Sequence, residues 1–162
     1  MSPRTACRPS RQAWRRNGRG RRCTGTSAAQ GCDIAAALPL APITDARAAA
    51  ALVADLANGE VERAAVLYLD PQWRFLGRLD FAGSAAAVAP PLRAIVAEAF
   101  RLDAIALILA HGHPSGCARP SAGDIAYTRA LAQVAGALDM MLVDHLIVTG
   151  REVTSLREAG LL

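Results

Sequence analysis

Two histidines one residue apart, His111 and His113, close an apolar run in AIALILAHGHPSGCARPSAGDI (Ala104–Ile125), and a Pro/Gly/Ser loop then leads to Ser121 and Asp124. Side chains along a strand alternate with period two, so imidazoles at i and i+2 share a face and can chelate one ion. Two histidines and a carboxylate leave the fourth position of a tetrahedral ion open to water, the arrangement of catalytic rather than structural zinc. The chemistry this points to is hydrolysis. Ser121 and Asp124 also have a purely structural reading, because Ser-x-x-Asp before an apolar helix resembles a capping box, although the usual partner is Glu or Gln. The two roles are compatible: a hydroxyl at a helix start and a carboxylate one turn in can both face the histidine loop, and a helix N-terminus favours negative charge.

These residues need a strand to end at the histidines and a helix to begin at Ser121. The run Ala104–Ala110 reads as a buried strand, and Ile125, Leu131, Val134 and Leu138 mark an apolar face for a helix from Ser121 to about Leu138. Upstream, Thr44 can cap an Ala-rich helix over about 44–58 that stops at Asn58-Gly59. Val61–Leu69 and Arg74–Phe81 read as a hairpin around Asp70-Pro71-Gln72-Trp73, broken by Gly83-Ser84. Pro90-Pro91 opens a further helix, ending near Arg101, with Leu92, Ile95, Val96, Ala99 and Phe100 on one face. A strand over Met140–Val148, a turn at Thr149-Gly150, a short strand and a last helical turn complete the chain. The order predicts an α/β fold, a central mixed β-sheet with helices on both sides.

The 162 residues suffice for one domain with a real core, and 52% of them are hydrophobic. No apolar run approaches the roughly 20 residues of a membrane span. The net charge of +4 hides a division. Residues 1–32 hold eight arginines and no acid, whereas ten arginines face fourteen acids from Asp33 onward. The basic pI therefore belongs to the start of the chain, and pI gives no argument for nucleic-acid binding by the folded part. Residues 1–34 lack hydrophobic periodicity and are expected to be a disordered Arg-rich tail ahead of a domain over 35–162. Such a block is either a basic arm making weak contact with nucleic acid or the product of a wrongly assigned start codon. Four cysteines without CxxC spacing indicate neither a disulfide framework nor a cysteine zinc site, so the expected compartment is the cytoplasm.

The spacing His-x-His, seven residues, Ser, two residues, Asp is met without insertion by His111, His113, Ser121 and Asp124. It resembles the JAMM motif of JAB/MPN+ metalloproteins. More narrowly, LILAHGHPSGCARPSAGDIAYTRAL, LVDHLIVTG and TSLREAGLL look like the RadC family, over roughly Glu60–Leu162. Two departures stand out: Gly112 occupies a position where the family usually has Asn, and the helix-hairpin-helix segment that often precedes the domain is not recognisable. The resemblance implies a three-layer, cytidine-deaminase-like JAB fold. It implies Zn2+ held by His111, His113 and Asp124, with Ser121 donating to the developing oxyanion. It also implies a general base from an upstream strand. Glu62, eight residues before Asp70, fits that pattern. Glu60 shares its strand parity and competes with it, and the match favours Glu62.

The implied activity is zinc-dependent hydrolysis of an amide or isopeptide bond in a peptide or protein substrate. The rival function is that of a DNA-repair-associated or nucleic-acid-processing accessory protein, carried by the family label. Asp144 and His145 point to opposite faces of a regular strand, so only one of them can serve the site, and His145 is the candidate for a supporting or substrate-side role. Cys117 reads as a small loop residue, and Arg119 as a candidate contact for substrate.

Overall fold

The computed structural model describes residues 41–83 and 89–162, all within one compact unit, Ala35–Leu162. The tail expected over 1–34 lies outside the described residues, as does Ser84 of the expected Gly83-Ser84 break. In chain order the elements are helix α1 (Ala46–Ala51), a 3-10 turn (Ala54–Ala57), strands β1 (Arg63–Leu69) and β2 (Phe75–Ala82), helix α2 (Leu92–Leu102), strand β3 (Ala106–Gly112), helix α3 (Ala122–Gly136), and strands β4 (Met141–Val148) and β5 (Val153–Ser155). They form one five-stranded mixed sheet in the order β2-β1-β3-β4-β5. Only β3 and β4 are parallel, joined by the α3 crossover.

The alternation of side chains divides the core into two layers. Leu67, Leu69, Ile108 and Ala110 face Val53 and Leu56 of the α1 side, whereas Val66, Tyr68, Leu107 and Leu109 face Ile95 and Ala99 of α2 and Leu131 and Ala135 of α3. Both faces of β1 and β3 are covered, so these strands are apolar over Ala64–Leu69 and Ala106–Ala110, as a doubly covered sheet requires.

Three expectations need correction. The helix over 44–58 is two shorter pieces, and the first is capped not by Thr44 but by Asp45, whose Oδ1 accepts from the Ala48 amide at 2.7 Å. Alanine propensity favours continuation, but tertiary contacts override it. Arg78 donates to the Leu52 carbonyl at 2.7 Å and to Asp55 at 2.7 and 2.9 Å, and the tightened turn buries Val53 and Leu56 on the sheet. Phe100 is 63% exposed. It lies about 140° around the helix from Ile95 and so leaves the stripe on which Ile95 and Ala99 are buried. The strand expected over Ala104–Ala110 runs instead over Ala106–Gly112, which takes His111 into the sheet.

Candidate metal centre

Parity places the histidines. His111 continues the Leu107–Leu109 series, so it and His113 look toward α3. The antiparallel register sets Ala64 of β1 opposite His111, and Glu62, just before β1, lines the same cavity as His113. Across the loop, Ser121 caps α3: its Oγ accepts from the Asp124 amide at 3.1 Å, and Asp124 Oδ2 accepts from the Ser121 amide at 2.7 Å. The capping box is therefore complete. It turns the Asp124 carboxylate toward the histidines, with Oδ1 3.3 Å from His111 Nε2 and Oδ2 3.7 Å from His113 Nε2. The two Nε2 atoms are 2.8 Å apart. His111, His113 and Asp124 each offer one ligand atom within 4.8 Å of the others.

The electrostatics suit a cation. Burial, partly opposed by Asp124 and reinforced by His113, pushes His111 down to about 4. Burial and the adjacent His111 ring push His145 down to about 3. Burial would raise Asp124, but the hydrogen bonds from Ser121 and the two nearby imidazoles outweigh it and hold the carboxyl below its usual range. At neutral pH the site thus presents an uncharged His111 imidazole and a carboxylate, the protonation states that metal ligands need. His113 is held from its other side, where its Nδ1 meets the Cys117 carbonyl at 2.7 Å. This donor set fits zinc, with room for a fourth ligand in the adjoining cavity.

That cavity measures about 280 Å³, and its wall includes Glu62, Ser121 and Tyr127 besides His111, His113 and Asp124. Glu60 is exposed and is not part of the wall, and neither are Arg119 and Cys117. A larger cavity of about 660 Å³ opens on the opposite face, beside Trp73 and Asp144. Its buried acid is already committed: Asp144 accepts from the His145 amide, the Ser155 hydroxyl and the Arg157 amide at 2.7, 2.6 and 3.1 Å.

His145 lies on the site face because of a bulge. Leu107 pairs with Leu142 but Ile108 pairs with Asp144, so Val143 is an extra residue in β4. Val143 and Asp144 consequently both face the α1 side, and His145 points at His111, Nε2 to Nδ1, at 2.8 Å. Bulges re-aim side chains in this way. Thr128 is the site residue that the sequence reading missed: its hydroxyl meets His145 Nδ1 at 2.6 Å and donates to the Asp124 carbonyl at 2.6 Å. Its spacing of four from Asp124 on one helix was the available signal.

A mixed sheet that sets His-x-His at the end of one strand and Ser-x-x-Asp at the start of the next helix defines an α/β domain built around a cluster able to hold a metal ion. A family model described as "RadC-like JAB domain" matches residues 43–161, and the chain belongs to this family. It is 45% identical over 108 residues to the UPF0758 protein Bpet3149 of Bordetella petrii, covering 66% of this chain and 48% of that one. It is 44% identical over 97 residues to a UPF0758 protein of Acidithiobacillus ferrooxidans, covering 59% and 43%. To a UPF0758 protein of Bordetella bronchiseptica it is 39% identical over 150 residues, covering 84% and 67%. The chain thus spans about half the length of the first two of these relatives. Among the described residues no helix is long and apolar enough to cross a membrane.

Proposed function

We propose that the protein is a zinc-dependent hydrolase of amide or isopeptide bonds in a peptide or protein substrate. The observation that carries this reading is the convergence of His111 Nε2, His113 Nε2 and the Asp124 carboxylate on one point in the wall of a cavity that also holds Glu62 and Ser121. Bound there, zinc would acidify a water and polarise the scissile carbonyl. Glu62, on the β1 side of the cavity, takes the proton of the attacking water and returns it to the departing amine. Ser121 uses an oxygen lone pair for the Asp124 amide, so its hydroxyl proton stays free to stabilise the oxyanion. Among the described residues Cys117 is an exposed free thiol, which suits the cytoplasm. The nucleic-acid reading draws its charge from residues 1–34, outside the described residues.

The test is metal analysis of the purified protein together with hydrolysis of a peptide library by the wild type and Glu62→Gln. Stoichiometric zinc in both, with cleavage reduced about 10²–10⁴-fold in the variant, is the expected result. A wild type without zinc, or a variant that cleaves as well as the wild type, overturns the proposal.

A further inference from the structure

We propose that Thr128 and His145 fix the proton positions of the centre, so that His145 is a positioning residue that holds His111 with a bare Nε2 facing the metal. The inference rests on the zinc reading above, but it concerns hydrogen bonds of the chain itself.

Five contacts run in series: the Asp124 carbonyl to Thr128 Oγ1 (2.6 Å), Thr128 Oγ1 to His145 Nδ1 (2.6 Å), His145 Nε2 to His111 Nδ1 (2.8 Å), His111 Nε2 to His113 Nε2 (2.8 Å), and His113 Nδ1 to the Cys117 carbonyl (2.7 Å). Thr128 brings one proton to this series, and each imidazole brings one in the neutral form that a metal site requires. One contact must therefore lack a proton. Both ends of the series are carbonyl oxygens, which only accept, so Thr128 donates to Asp124 and His113 donates through Nδ1 to Cys117. Having spent its proton, the Thr128 oxygen accepts from His145 Nδ1–H. His145 is 2% exposed and no carboxylate is a hydrogen-bond partner of its ring, so the ring is neutral and its Nε2 is an acceptor. His111 must then carry its proton on Nδ1. The contact left without a proton is the one between His111 Nε2 and His113 Nε2.

The opposite polarity fails on position. If Thr128 donated to His145, two oxygens would face each other at 2.6 Å with no proton between them, at a fully buried residue against the backbone of α3. In the proposed polarity the vacancy opens on the cavity beside the Asp124 carboxylate, where a cation fills it. Thr128 also joins the site's elements: it binds the backbone of one ligand, Asp124, and through His145 orients another, His111. The bulge at Val143 is what brings the intermediate ring into line.

The experiment uses ¹⁵N-histidine-labelled full-length protein, with ring tautomers read from long-range ¹H–¹⁵N correlation spectra before and after addition of zinc. His111 and His145 are expected as Nδ1–H tautomers in both states. A proton on Nε2 of His145 in either state, or of His111 in the metal-free state, overturns the proposal. Zinc affinity, measured by competition with a chelator, is expected to weaken about ten-fold or more in Thr128→Val and to return to near the wild-type value in Thr128→Ser. Equal affinity in wild type and Thr128→Val overturns it as well. A wild type that takes up no zinc sinks the hydrolase reading, while its ring spectra still decide the relay, and they require no variant to fold.

Discussion

Replacing Gly112 by alanine tests how tightly the histidine strand is clamped. Gly112 sits between His111 and His113, and its side-chain position faces the 3-10 turn. A Cβ there would fall 2.0 Å from the Leu56 carbonyl oxygen and 2.9 Å from its carbon. Comfortable contact needs about 3.5 Å, so strand and turn must separate by more than about 1 Å. Neither is free to move. Leu56 is buried, and Asp55 beside it is tied to Arg63 and Arg78. On the other side β3 is hydrogen-bonded to β1 and β4. Forced overpacking of this kind costs about 1–3 kcal/mol. For a domain of this size that lowers the thermal midpoint by roughly 3–12 °C. The displacement also moves His111 and His113, so zinc affinity falls together with stability. Differential scanning calorimetry of Gly112→Ala against Gly136→Ala is the assay. Gly136 has nothing within 4 Å of its Cβ position and stands in helix α3, so alanine there is expected to raise stability by about 0.5–1 kcal/mol. A Gly112→Ala midpoint within about 1 °C of the wild type, the precision of the scan, would refute the clamp.

Acid should destabilise the metal-free protein early. His111 and His145 are depressed to about 4 and about 3 in the fold, whereas the unfolded chain binds protons near 6.5. Their contribution is complete above that value and is lost as pH falls toward 4, with a slope of up to about 1.4 kcal/mol per pH unit for each ring; urea midpoints that stay flat between pH 7 and pH 5 would contradict this. Asp124→Asn keeps an oxygen for the Ser121 amide but removes the charge, so zinc affinity should fall at least about ten-fold while the thermal midpoint changes little; equilibrium dialysis and calorimetry read the two, and unchanged affinity would remove Asp124 from the ligand set. Ser121→Ala should cost about 1 kcal/mol of cap and about 10²–10³-fold in turnover, and Ser121→Thr should restore the first; an alanine variant with full turnover would dismiss the hydroxyl from the reaction.

The site was more legible than the scaffold that aims it. His111 and His113 declare a shared face through period two alone, and Ser121 and Asp124 declare a helix start through their spacing, because both signals are local. The hairpin of β1 and β2 was equally plain, since Asp70 supports its own turn by accepting from the Gln72 and Arg74 amides at 2.8 and 2.9 Å. What stayed hidden depends on partners distant in sequence. The break in the first helix comes from Arg78 reaching back to Leu52 and Asp55, which no propensity in an alanine run reveals. The choice between Asp144 and His145 hangs on the extra residue Val143, and an apolar strand with one residue more than its neighbour looks like any other apolar strand.

Ser121 and Asp124 show why a capping reading and a chemical reading of the same residues did not compete. A capping box uses one lone pair of the serine and one oxygen of the acid. Here the serine keeps its proton and the carboxylate keeps Oδ1, the atom 3.3 Å from His111. The cap therefore leaves both groups their reactive atoms and fixes the directions in which those atoms point. Proximity to the imidazoles would not by itself select one rotamer of Asp124, since either oxygen could approach either ring. The Ser121 amide selects it by claiming Oδ2. Helix formation and assembly of the ligand set are for this reason one event: the first turn of α3 cannot form its cap without presenting Asp124 to the end of β3.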